Sequence, residues 1–309
     1  MLRRILLALS HSVTLQRLGR DFPPARRMAR RFVAGERRED ALRVIRQLND
    51  AGVHVTLDYL GEHVTEAEVA RSCVDEYLAV LEDIARAELQ SGVSLKLSAM
   101  GLHIDAAFCY ENVYRIVKAA QSHRRFVRID MEEAAHVDVT LDIYRRLRHS
   151  FDNVGVVLQA YLYRTKEDLR SLLNEGVADV RLVKGAYDES EDVAWQRRED
   201  IQRSLIELSQ MMLTPAALAQ GGRLALGSHD DAVYNEVIAF AESQHIAPDR
   251  WEIQFLYGIR RDELWRLVRA GHRMRVYVPY GDAWYPYFMR RLAERPANLA
   301  FFLRALVGR

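Results

Sequence analysis

The chain has 309 residues, 49% apolar and 28% charged, with a formal charge of +1, which is the composition of a soluble globular protein and excludes collagen-like or linker-like chains. No apolar run reaches about 18 residues, which excludes a membrane-spanning helix within this sequence, and near-zero net charge gives no basic field for nucleic acid. Cys73 and Cys109 stand apart with no CxxC, which excludes a disulfide framework and a cysteine-based metal cluster.

The charge is unevenly placed. Residues 1–35 hold eight Arg against one Asp. The apolar stretch Ile5–Leu9 is short for a signal-peptide core. Residues 1–50 read as an N-terminal helical arm. A solvated basic face is the favoured reading, ahead of a targeting segment or of attraction to anionic lipid.

From residue 51 a rhythm sets in. Eight β-branched runs recur: HVTLDYL (54–60), VSLKLSA (93–99), FVRIDME (126–132), GVVLQAYL (155–162), VRLVKGAY (180–187), LALGSHD (224–230), WEIQFLYG (251–258) and RVYVPYG (275–281). Their starts lie about 24 to 44 residues apart, room for a strand, a crossover helix and turns. They are apolar on both faces, as parallel strands covered by helices are. Residues 38–50, 66–90, 193–212, 261–271 and 285–309 carry helical periodicity. The pattern predicts an α/β fold, a (β/α)8 TIM-type barrel over 51–309. A doubly wound sheet is the alternative, but no GxGxxG or GxxxxGK[ST] is present.

The carboxyl ends of these runs hold Asp58, Lys96, Asp130, Glu132, Gln159, Arg181, Lys184, His229, Gln254, Tyr257 and Tyr277. Charges inside strands must be paired, and at a barrel mouth a paired polar cluster reads as an active site. Only four Lys stand among 40 Arg, and Lys96 and Lys184 both fall in strand runs. No HExxH or HxH occurs, so charge pairing is favoured over metal and no metal is expected. Arg181, Lys184 and the Gly185 turn could bind phosphate, although KGA alone fits a simple strand-ending turn. The last helix carries Arg290–Arg291 and Glu294, suited to a carboxylate at the mouth or to an ordinary solvated pair.

The segments TLDYLGE (56–62), SLKLSAMG (94–101), RIDME (128–132), VVLQAYL (156–162), RLVKGAY (181–187), SHD (228–230), QFLYG (254–258) and YVPYGDAWYPYFMRRLAERPAN (277–298) resemble the proline dehydrogenase family in its monofunctional bacterial form. RLVKGAY followed by the RRxxE helix is its most specific mark. The resemblance covers roughly residues 40–300 and leaves the basic arm outside.

It implies a (β/α)8 barrel that binds FAD and oxidises L-proline to 1-pyrroline-5-carboxylate. Arg181 is then expected beside flavin N5 and Lys184 at the pyrimidine edge. Asp130, Met131, Gln159, Gly185, Ala186, Ser228 and His229 would complete the FAD site. Arg290 and Arg291 would grip the proline carboxylate, with Lys96 nearby and paired to Asp130. Tyr277, Leu256 and Tyr187 would wall the ring pocket. Glu62 would pair with Arg290 as a gate. Asp130 is a candidate base and, with Arg181, a catalytic candidate. The resemblance further implies a quinone-type acceptor, a separate pyrroline-5-carboxylate dehydrogenase, and a cytoplasmic protein with peripheral contact at the inner face of the membrane. A different flavin- or metal-dependent barrel acting on a small carboxylate, and a binding module working through the basic arm, are the competing readings.

Overall fold

The computed structural model describes residues 28–294, with side chains through Arg291. The basic segment 1–27, including Ile5–Leu9, and the end of the chain from residue 295 lie outside the described residues, as does the side chain of Glu294.

Among the described residues eight parallel strands close a barrel in sequence order. They are β1 (His54–Tyr59), β2 (Ser91–Leu95), β3 (Val127–Ile129), β4 (Val154–Gln159), β5 (Asp179–Val183), β6 (Arg223–Gly227), β7 (Trp251–Leu256) and β8 (Met274–Tyr280). Closure is the β1–β8 pairing, which runs from His54↔Arg275 to Tyr59↔Tyr280. All eight predicted runs contain strands, and β2, β3, β5 and β6 end just before Lys96, Asp130, Lys184 and Ser228.

Helix α1 (Arg38–Asp50) precedes the barrel. The crossovers are α2 (Ala67–Arg86), α3 (Ala106–Ser122), α4 (Val137–Arg148), α5 (Thr165–Asn174), α6 (Arg198–Met212) with the short α7 (Pro215–Ala219), α8 (Asp231–Ser243) and α9 (Arg261–Arg269). Helix α10 (Trp284–Glu294) follows β8. Helix α2 shows why they pack: Ala70, Cys73, Val74, Tyr77, Val80, Leu81 and Ile84 are buried at three-to-four spacing, one stripe facing the sheet. Asp105 and Asp230 cap α3 and α8, accepting hydrogen bonds from Phe108 N and Ala232 N. Helix α6 starts at Arg198, later than the periodicity predicts. The Tyr163 and Trp195 amides instead donate to Val193 O and Tyr161 O, pinning 193–195 to the loop after β4.

The core lies between barrel and helices. Val55, Leu57, Val93, Leu95, Val127, Ile129, Val156, Leu158, Val180 and Leu182 are almost wholly buried there. Each such side chain contributes about 1.5–3 kcal/mol of transfer free energy. A second cluster joins Ala29, Phe32, Val33 and Leu60 to Trp284, Tyr287, Phe288 and Met289. It fastens the segment before α1 to α10 across the barrel mouth.

The barrel interior differs from the usual packed layers of Val, Ile and Leu. Arg128 on β3 reaches past β4 to Asp179 on β5, 2.7 Å away. Arg275 Nε on β8 meets Glu252 on β7 at 2.7 Å. The Arg128–Asp179 contact, between non-adjacent strands, can be made only through the lumen, so inward positions carry charge.

Candidate active site

The lumen network continues upward to the carboxyl ends of the strands. The Arg181 guanidinium, on a residue 5% exposed, crosses from β5 to β2, β7 and the residue that follows β3. Its Nη2 donates to Ser94 Oγ at 3.0 Å and to Asp130 Oδ1, and its Nη1 donates to Gln254 Oε1 at 3.2 Å. Ser94 Oγ donates to Asp130 Oδ1 at 2.8 Å, and Tyr277 OH donates to Asp130 Oδ2 at 2.9 Å. The Arg181 cation stands 5.2 Å over the Tyr277 ring. Burial, reinforced by Asp130 and Asp58, keeps the Tyr277 phenol well above its ordinary pKa, so it remains a donor.

Beside this knot Lys96 Nζ lies 3.5 Å from Asp58 Oδ2. The expected Lys96–Asp130 pair is therefore replaced: Asp130 is taken by Arg181, Ser94 and Tyr277, and Asp58 is the carboxylate left to face Lys96. Burial pushes the Lys96 pKa down, but Asp58, Asp130 and Glu62 outweigh it and hold the lysine protonated.

On the rim, Arg290 Nη1 donates to Glu62 Oε1 at 2.5 Å. Burial opposes the Glu62 charge, yet Arg290 and Lys96 together hold its carboxyl below the usual range. Arg291, on the same turn of α10, is 8% exposed, with its guanidinium 5.1 Å over the Tyr287 ring. Tyr187 is half-buried near Glu132, Glu62 and Arg290; burial is the main cause of its raised pKa. Leu256, half-buried at the end of β7, gives its amide to His229 Nε2 at 2.9 Å, which requires a neutral imidazole.

Met131 is buried, and Gln159 Nε2 donates to Glu132 O at 2.7 Å, tying β4 to the end of β3. Ser228 Oγ accepts from the Asp230 amide at 3.2 Å. Lys184 and Ala186 are exposed past the end of β5, where Gly185 turns the chain at φ +110°. A Cβ on Gly185 would lie 2.3 Å from the Tyr161 ring. Arg181 and Lys184 thus do not form one cation pair: strand parity sends Arg181 into the lumen, and Lys184 lies on the exposed loop.

Asp58, Ser94 and Gln254 belong to the network but had no assigned role. Their signal was spacing by two: Thr56/Asp58, Ser94/Lys96, Arg128/Asp130, Asp179/Arg181 and Glu252/Gln254 share a face within otherwise apolar runs. Among the described residues no group of three His, Cys, Asp or Glu is placed to hold a metal ion, and no helix is long and apolar enough to cross a membrane.

The sequence profile described as Proline dehydrogenase matches residues 41–304. The chain belongs to the proline dehydrogenase family. Membership makes it an oxidoreductase that acts on proline in proline catabolism. It is 41% identical over 306 residues to proline dehydrogenase 2 of Bacillus subtilis, covering 98% of each chain. It is 36% identical over 285 residues to proline dehydrogenase of Deinococcus radiodurans, covering 91% of this chain and 90% of that one. Among solved structures, proline utilization A of Bdellovibrio bacteriovorus superposes with a TM-score of 0.81 at 25% identity. That match covers 87% of this chain and 33% of the longer protein.

Proposed function

We propose that this protein oxidises L-proline to 1-pyrroline-5-carboxylate at the barrel mouth, with FAD as its cofactor and a quinone-type compound as final acceptor. One observation carries the substrate side: Arg290 holds a carboxylate, that of Glu62, at 2.5 Å. That carboxylate stands in for the one proline would present to Arg290 and Arg291. Two guanidiniums on one helix can grip it bidentately and so fix the ring over the site. Tyr187, Leu256 and Tyr277 supply apolar walls for the ring. Displacing Glu62 would let the loop after β1 settle over the bound substrate and exclude water.

The residues present fit a flavin. Lys184 is exposed at the end of β5 and, among the described residues, pairs with no carboxylate, which suits an electron-rich ring edge. The Gly185 turn leaves no room for a side chain, so backbone can approach a planar ligand closely. Arg181, Lys184, Gly185 and Gln159 would hold the ring system, with Met131, Ala186, Ser228 and His229 around it. FAD, when bound, would supply the two-electron acceptor for the C5 hydrogen. The chain's own residues orient the substrate, keep water out and place positive charge where negative charge develops. Proline dehydrogenation is a single oxidation, so oxidation of the hydrolysed product to glutamate would fall to a separate dehydrogenase. A cytoplasmic location with peripheral membrane contact suits a quinone-type acceptor.

The test is an anaerobic visible spectrum of the purified protein before and after substrate. A flavin spectrum bleached by L-proline and not by D-proline supports the reading. A flavin that stays oxidised would reject proline, and a protein that takes up no FAD would redirect attention to a metal-dependent barrel.

A further inference from the structure

The oxidation of proline at its ring nitrogen requires that the substrate ammonium lose a proton. The two carboxylates of the inner site differ sharply in their fitness to receive it. Asp130 accepts hydrogen bonds on both oxygens, from Ser94 and Arg181 on Oδ1 and from Tyr277 on Oδ2. Hydrogen bonds to the ionised form stabilise it and make it a poor base. Asp58 is 1% exposed, and no group stands in full hydrogen-bonding geometry to either oxygen, with the Lys96 ammonium 3.5 Å away. A buried carboxylate in that condition is the one that gains most from a proton.

The groups facing Asp58 are Lys96 from β2, Asp130 from β3, Tyr277 from β8 and Tyr77 from α2. The Tyr277 hydroxyl is committed to Asp130, and the Tyr77 hydroxyl donates to Ser94 O at 2.7 Å. Lys96, 3.5 Å away, is the group through which a proton can arrive. Burial, with the nearby Asp130 charge, pushes the Asp58 carboxyl up to about 6 against the pull of Lys96 and of the Tyr277 hydroxyl. Lys96 is held protonated, so it cannot act as an unaided base. It can take a proton only by passing one on.

We propose that Asp58 is a positioning residue for the reaction: it orients Lys96 and receives, through Lys96, the proton that leaves the substrate nitrogen. The proposal rests on the proline-oxidation reading above. The step balances without a redox partner. The substrate N–H bond breaks as a new N–H bond forms at Lys96 Nζ; a different Nζ–H bond breaks as O–H forms on Asp58. Lys96 ends as the ammonium it was, the substrate is left as a neutral amine, and Asp58 is left as a neutral acid. The charge of the site is thereby conserved at the moment the C5 hydrogen departs.

The experiment uses the FAD-loaded protein and follows anaerobic single-turnover bleaching by L-proline between about pH 6 and 9.5. In parallel, cyclopentanecarboxylate, which keeps ring and carboxylate but lacks the nitrogen, is titrated by flavin difference spectrum. Asp58→Asn should bind this analogue within about threefold of wild type, yet bleach about 10²–10⁴-fold more slowly near neutral pH. Its deficit should shrink about tenfold per pH unit as free-amine substrate accumulates, because only pre-deprotonated proline then reacts. Asp58→Glu should restore much of the rate and the flatter profile.

An Asp58→Asn protein with the wild-type rate and pH profile would overturn the proposal. So would parallel losses of analogue affinity and rate, which would make Asp58 a shaper of the pocket alone. One readout needs no variant: the infrared difference spectrum of wild-type protein on anaerobic addition of proline should gain a protonated-carboxyl C=O band. The absence of that band would also overturn the proposal. Wild-type protein that holds flavin but is not bleached at all would overturn the oxidation reading, and the proposal with it.

Discussion

Glu62 and Arg290 meet at 2.5 Å across the barrel mouth, joining the loop after β1 to helix α10, 228 residues later. The contact is made between side chains that are 14% and 23% exposed, so solvent screens it less than a surface pair. On the proposed reading, Glu62 offers Arg290 the same kind of group that the substrate would bring.

On the proposed reading the pair competes with proline. Glu62→Gln removes the internal anion and should tighten binding of a ring carboxylate about tenfold, a gain of about 1.4 kcal/mol. The ligand-free protein should melt lower, because Arg290 loses its charged partner. Titration by flavin difference spectrum checks this, and weaker binding in the variant would refute competition. Arg291→Ala supplies the contrast: it should weaken the same ligand about 100-fold while FAD content is unchanged.

Glu252 sets an acid limb of stability. Its burial raises the pKa, but Arg275, Arg273 and a hydrogen bond from Gln254 prevail and hold the carboxyl at about 2, against 4.5 for the free group. A depressed folded-state pKa contributes stability that is present above about 4.5 and is lost as pH falls toward 2. The contribution is about 3 kcal/mol. Glu252→Gln should lower Tm at pH 7 and flatten the fall in Tm below pH 4.5. Calorimetric or fluorescence melts across that range decide; an unchanged acid slope would count against the assignment.

Gly185 is required twice, by φ +110° and by the Tyr161 ring in the place of a Cβ. Gly185→Ala should cost about 1–3 kcal/mol from the backbone alone. More follows from moving Tyr161, and the purified protein should carry less flavin. Gly221→Ala is the matched comparison, with φ +82° and nothing within 4 Å of the added Cβ. It should show a smaller Tm loss and normal flavin content. Equal behaviour of the two variants would remove Gly185 from the cofactor site.

Much of the barrel was legible in sequence because each strand is a short β-branched run between turn signals, and each crossover carries helical periodicity. Leu57, Ile129 and Leu182 read as strand because they are one. The partners inside the lumen were not legible. Lys96 pairs with Asp58 rather than Asp130, a choice made by Arg181 reaching across from β5, and no local pattern encodes a contact 51 residues away. The late start of α6 has the same origin: the loop after β4 takes the Val193 carbonyl and the Trp195 amide that helical spacing alone would have assigned elsewhere.

The inward face of the sheet holds mutually dependent partners: Arg128 with Asp179, Glu252 with Arg275, Arg181 with Asp130. Each couples two different strands, so a change at one position leaves a stranded charge on another. Drift along a lineage should then proceed freely at outward Val, Leu and Ile positions, where similar volumes interchange. At lumen positions it should occur in linked double steps. A library built to alter substrate preference by varying one inward residue at a time would sample mostly damaged proteins. Varying partners together, across strands, is the route by which this interior can be rewritten.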